Sequence, residues 1–162
     1  MFQLFLFLHV MGAIVVFGPS FAFPFIAAQV QKAPQHGHFA AVVMHVIERR
    51  LIVPGAIVQG ITGVALILIS GRDLTSPANR WLGIAIVLYL TAILFAIFVQ
   101  SKNAEKMVHL SANMPPGPPP AGAPAGPPPE IRETGKKLAQ GGQLLSVLVV
   151  LIVLLMVVKP TF

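Results

Sequence analysis

Four long apolar runs, with no formal charge at the middle of any of them, restrict this chain to a membrane. They span residues 4–30, 51–69, 81–99 and 144–158, and the uncharged stretch 139–143 extends the last one to about 140–158. At a rise of about 1.5 Å per residue, roughly 20 helical residues cross a hydrocarbon core about 30 Å thick. Each run meets that length, the fourth only just. The chain has 56% hydrophobic and 10% charged residues and a mean hydropathy of +0.82. A soluble domain carries roughly 25% charged residues, so too little polar surface is present here to cover a globule in water. The expectation is an all-α chain, a single transmembrane domain over residues 1–162 folded as a four-transmembrane-helix bundle.

The distribution of basic residues predicts its orientation. Lys32, Arg49, Arg50, Lys102, Lys106, Arg132, Lys136 and Lys137 lie in or beside the first and third connections; Arg72, Arg80 and Lys159 lie on the other side. Eight against three puts the first and third connections in the cytoplasm, an N-out/C-out topology. Trp81 then falls at the outer interface, where an indole is favoured. No Lys or Arg precedes the first run, so it reads as a retained helix rather than a signal peptide. Pro19 and Pro24 should bend it. The net charge of +6 does not point to nucleic acid, because the basic residues flank the apolar runs and form no stripe interleaved with aromatics. The absence of cysteine excludes disulfides, thiolate metal sites and cysteine nucleophiles.

Two connections have a character of their own. Phe39, Val42, Val43, Val46 and Ile47 recur at helical spacing, with His38, His45 and Arg49 opposite them. This pattern predicts an amphipathic helix at the cytoplasmic membrane surface, running into span two either as one kinked helix or as two short ones. Residues 114–130 read MPPGPPPAGAPAGPPPE. Proline lacks the N–H and fixes φ, so this loop should be an extended tether before span four; a docking strip for an aromatic groove is the alternative.

Polar residues at membrane depth are where chemistry is sought first. His9 shares a helical face with Val16, Ser20 and Ala27, flanked by Gly12 and Ala13. A neutral imidazole there is a candidate ligand for a haem iron or copper; the competing reading is a hydrogen bond to a neighbouring helix. His36, His38 and His45 offer a weaker cytoplasmic metal candidate, since an i, i+2 pair diverges on a helix. In span two, Gly12's counterparts Ala56, Gly60 and Gly63 suggest close helix packing, with Gln59 among them and Tyr89 or Thr91 of span three as its expected partners. No span holds an Asp, Glu, Lys or Arg at mid-depth, which argues against an ion pump. No phosphate loop, HExxH, carboxylate pair or serine elbow occurs, so no catalytic residues are assigned and the chain reads as no enzyme.

The segments LFLHVMGAIVVFG, ERRLIVPGAIVQGITGVALIL and LIVLLMVVKP resemble the bacterial membrane family catalogued as domain of unknown function 2269. The resemblance covers nearly the whole chain apart from the Pro-rich insertion, and it implies four spans in the bacterial cytoplasmic (inner) membrane. More distantly, the His-bearing first span is similar to those of copper-resistance D-type proteins and of the four-helix protoporphyrinogen oxidases, which carry haem. Such proteins show a Trp-x-Gly-Gly segment where this chain reads Val15-Val16-Phe17-Gly18-Pro19. The leading expectation is a non-catalytic accessory or structural subunit that associates with membrane lipid and with other membrane-protein subunits or itself. The alternative is a haem b- or copper-binding protein using His9. A small transporter or channel around Gln59 ranks third.

Overall fold

The computed structural model describes residues 1–114 and 126–161; of the tether expected over 114–130, residues 115–125 lie outside the described part. Four helices long and apolar enough to cross a membrane account for nearly all of it: α1 (Phe2–Lys32), α2 (Pro34–Ser70), α3 (Pro77–Ala112) and α4 (Pro129–Val158). No strand occurs among the described residues. The chain is an integral membrane protein of four helices, as its hydropathy demands.

Each helix outruns its apolar stretch. The 37 residues of α2 extend about 55 Å at the α-helical rise, well beyond one bilayer core. The excess lies at the end of the bundle that carries Glu48, opposite the end that carries His9. There α2 begins with the segment predicted as an amphipathic helix running into span two, for which one kinked helix or two short ones both fitted. It is continuous with the span, through one π-helical turn at Glu48–Ile52. The side that faces the bundle carries Ala40, Ala41 and Glu48, which are buried, while His38 and Arg49 are exposed and Phe39 is 71% exposed. The reason is a set of partners invisible at the level of periodicity. His38 Nδ1 lies 3.1 Å from Ser111 Oγ, and Ser101 Oγ donates to Glu48 Oε1 at 2.9 Å.

Local chemistry explains where the helices break. Pro19 begins a 3-10 turn over Gly18–Ala22, and Pro24 lies in the first turn of the α-helical segment that follows; a missing N–H and a fixed φ suit both places. α2 stops at Ser70 because Gly71 adopts φ +61°, which turns its N–H onto Leu68 O. In the hairpin that follows, Asp73 Oδ1 accepts from the hydroxyl and the N–H of Thr75 at 2.7 and 2.8 Å. Those two bonds hold its carboxyl below the usual aspartate range. Asn79 Nδ2 donates to Asp73 O and closes the turn into α3.

Register between neighbours is fixed by small residues that admit large ones. Along α1 and α2, Gly12 lies against Gln59 and Gly55 against Val16. A methyl at Gly55 would overlap the Val16 side chain, so the backbones approach there as in small-residue membrane packing. α2 and α3 run in one antiparallel register through His38–Ser111, Glu48–Ser101 and Gly60–Tyr89. This register sets the π-helical turns of α2 (Glu48–Ile52) and α3 (Ala96–Gln100) side by side. α4 completes the bundle against α3, with Gln100 Nε2 donating to Leu138 O at 3.1 Å.

Candidate ligand site at His9

The site rests on the contact between α1 and α2. Gln59 Nε2 donates to the His9 carbonyl at 2.9 Å, tying the amide to the backbone of α1. This is possible because Gly12 leaves room: a Cβ there would come within 2.6 Å of Gln59 Oε1. One turn along, the imidazole edge of His9 rests on Gly63. Thr62 Oγ1 lies 2.9 Å from His9 Nδ1 and 3.0 Å from Gln59 O.

A threonine hydroxyl has one hydrogen. With that hydrogen on Gln59 O, Thr62 accepts from the imidazole, Nδ1 carries the proton and Nε2 keeps its lone pair; with it on Nδ1 the roles reverse. Nε2 makes no hydrogen bond among the described residues, and it is not sealed within protein, since the buried unpartnered side-chain atoms are His45 Nδ1 and Gln100 Oε1. Orientation of a ligand histidine through its other nitrogen is the usual arrangement at metal and haem sites.

His9 lines a cavity of about 2640 Å³ that runs along the inner faces of the four helices. Ordinary small-molecule sites occupy about 300–1,000 Å³, so the space suits a large or elongated apolar guest. Around the His9 end its wall includes Ala85, Ile86, Tyr89, Ile152 and Met156. Trp81 and Leu82 of α3 are buried, at 4% and 5% exposure.

The other residues singled out from sequence have different fates. Tyr89 does not meet Gln59. Its hydroxyl donates to Ala56 O at 2.6 Å, and its ring lies on Gly60. Thr91 donates to Val87 O in its own helix. The expected Gln59–Tyr89 pairing is thus replaced by two separate ties from side chain to backbone, because glycines at 12 and 60 let each polar head reach a neighbouring main chain. Ala56 is buried. No group of three or more His, Cys, Asp or Glu side chains gathers among the described residues. A copper centre built from several protein donors is not assembled around His9, whereas a haem needs one axial imidazole and an apolar envelope.

Sequence reasoning missed the polar cluster at the opposite end. Glu48 is 8% exposed and lies inside the bundle. His45 Nδ1 stands 4.0 Å from Glu48 Oε2 and is itself buried without a hydrogen bond. The heptad spacing of His38 and His45, with Glu48 one turn on, was the available signal; periodicity alone places His38, His45 and Arg49 on the polar side of a membrane-surface helix and leaves Glu48 out.

Comparison with known proteins agrees with the fold. No curated protein and no solved structure matches the chain. The family model described as predicted integral membrane protein, domain of unknown function 2269, matches residues 3–160, and the chain belongs to that family.

Proposed function

We propose that the chain is a cofactor-holding membrane bundle that binds haem through His9 Nε2. The observation that carries this reading is the setting of His9: Thr62 engages Nδ1, which leaves Nε2 accessible in a residue that lines a large apolar cavity. A bound haem would supply one-electron chemistry, its potential set by the axial ligand and the polarity of the envelope. The protein's own part is to present one neutral imidazole, exclude water with apolar helix faces and hold the ring by the ties at Gln59 and Thr62.

The count of basic residues supports an N-out/C-out orientation in a bacterial inner membrane, which places His9 toward the outer leaflet. Association with other membrane proteins is supported less well. Its positive argument was the small residues, and Gly12, Gly60 and Gly63 receive Gln59, Tyr89 and His9 of this same chain. Transport around Gln59 is weakened likewise, because its amide is engaged with the His9 carbonyl.

The test is an oxidised-minus-reduced absorption spectrum of protein purified in mild detergent, with iron and copper analysis on the same sample. A Soret band lost in His9→Ala, with membrane insertion unchanged, is the expected result. A Soret band retained in His9→Ala, or a wild-type protein that neither carries haem nor takes up added hemin, overturns the proposal.

A further inference from the structure

We propose that the ligand of this cavity carries carboxylates, and that Arg72 and Lys159 receive them at the His9 end. The inference rests on the haem reading above and specifies the class of guest: an apolar body with an anionic edge.

Positive charge at this end needs a reason, because basic residues concentrate on the cytoplasmic side of membrane proteins. Arg72 and Lys159 both line the cavity that His9 lines. Neither has a carboxylate within ion-pairing distance among the described residues. Arg72 is held in place by neutral partners. Its guanidinium lies 5.9 Å from the centroid of the Trp81 ring, and Nη1 donates to Asn79 Oδ1 at 3.4 Å. Cation–π support leaves most of its five N–H donors available for a planar acceptor.

Lys159 contributes an independent observation. It is the only non-glycine residue with positive φ among those described, at φ 47° and ψ 57°, directly before Pro160. A bulky side chain seldom adopts this conformation, and a residue preceding proline is pushed toward extended backbone. Such outliers cluster at ligand clamps. Here the conformation ends α4 with a lysine at the cavity wall, where glycine would cap the helix without strain.

The depth relation is suitable. From Thr62, which holds His9, to Ser70 at the end of α2, the helix rises about 12 Å, and Arg72 follows just beyond. A planar macrocycle ligated at His9 with its carboxylate edge toward this end would bring its acid groups to the two cations.

The experiment is a titration of purified protein in detergent with two probes, hemin and hemin dimethyl ester, followed by the Soret band. Arg72→Gln and Lys159→Gln should each weaken hemin binding by about tenfold to a hundredfold, the range for losing a charge-assisted bond. The ester, with no carboxylate, should bind wild type more weakly than hemin does and should not distinguish the variants. Lys159→Gly separates charge from folding: it relaxes the backbone, so loss of hemin affinity with unchanged or raised thermal stability supports the proposal. Wild-type hemin affinity in both glutamine variants, or an ester bound as tightly as hemin, overturns it. Hemin binding abolished by His9→Ala yet insensitive to both cations would overturn this inference and leave the haem reading standing. No hemin binding by wild type would overturn both.

Discussion

Replacing Thr62 by valine tests the tautomer argument directly, because it removes one hydroxyl and changes the shape of the site very little. In the wild type that hydroxyl lies 2.9 Å from His9 Nδ1 and 3.0 Å from Gln59 O, and the haem reading has it accept from the first and donate to the second. Its loss leaves the imidazole N–H without a partner, at about 1–3 kcal/mol for an unsatisfied buried donor. The ring then relieves that cost by moving its proton to Nε2, the atom meant to ligate, or by turning away from Gly63. Both responses compete with binding. Loss of an orienting partner typically lowers metal affinity by about 10–100-fold, equivalent to about 1.4–2.8 kcal/mol, in keeping with the hydrogen-bond figure. The assay is hemin titration of the detergent-purified protein at neutral pH. Thr62→Val should fall within that range with insertion and helix content unchanged, and Thr62→Ser, which keeps the hydroxyl, should recover most of the affinity. A valine variant with wild-type affinity and an unaltered Soret band would refute the claim that Thr62 prepares His9.

Other substitutions probe the same framework. Gly12→Ala places a methyl within 2.6 Å of Gln59 Oε1; thermal unfolding in detergent should show a loss of about 1–3 kcal/mol, the range for overpacking, and hemin affinity should fall as α1 shifts. Tyr89→Phe removes the bond to Ala56 O but keeps the ring on Gly60, so a stability loss of about 0.5–1.5 kcal/mol with unchanged hemin affinity is expected from the same two measurements. Glu48→Leu leaves Ser101 without its acceptor and should destabilise the bundle more than Glu48→Gln, which can still accept; equal melting temperatures for the two would contradict a buried hydrogen-bonding role. His38→Ala should leave the hemin titration unchanged, although His38 also meets a hydroxyl.

The fold was legible because the bilayer enforces it. Spans must be apolar, about 20 residues long and internally hydrogen-bonded, and the four runs meet those conditions without reference to any partner. Continuity beyond the membrane was left open between one kinked helix and two short ones. The segment before span two has a regular apolar side, and periodicity laid that side on the membrane surface. It cannot register that Ser101 and Ser111, more than 50 residues away, offer hydroxyls to Glu48 and His38. Gln59 illustrates the same limit. Mid-span polarity marked it as needing a partner, but the choice of the His9 carbonyl over Tyr89 depends on which helix carries a glycine opposite, and Gly12 meets that condition.

His9 itself could be singled out by depth and by its small neighbours, yet its chemical state depends on a three-residue relay. The comparison with His38 shows what that relay does and does not imply. Ser111 Oγ lies likewise between Val108 O and His38 Nδ1. An Nδ1 engaged by a hydroxyl is therefore no ligand signature by itself. The two histidines differ in surroundings. His38 is exposed, on the stretch of α2 that extends beyond the apolar run, where water can satisfy Nε2. His9 lies within an apolar run, where water is scarce and a free Nε2 has few alternatives to a ligand. The functional argument at His9 therefore depends jointly on the relay, which engages Nδ1, and on the membrane, which leaves Nε2 in need of a partner.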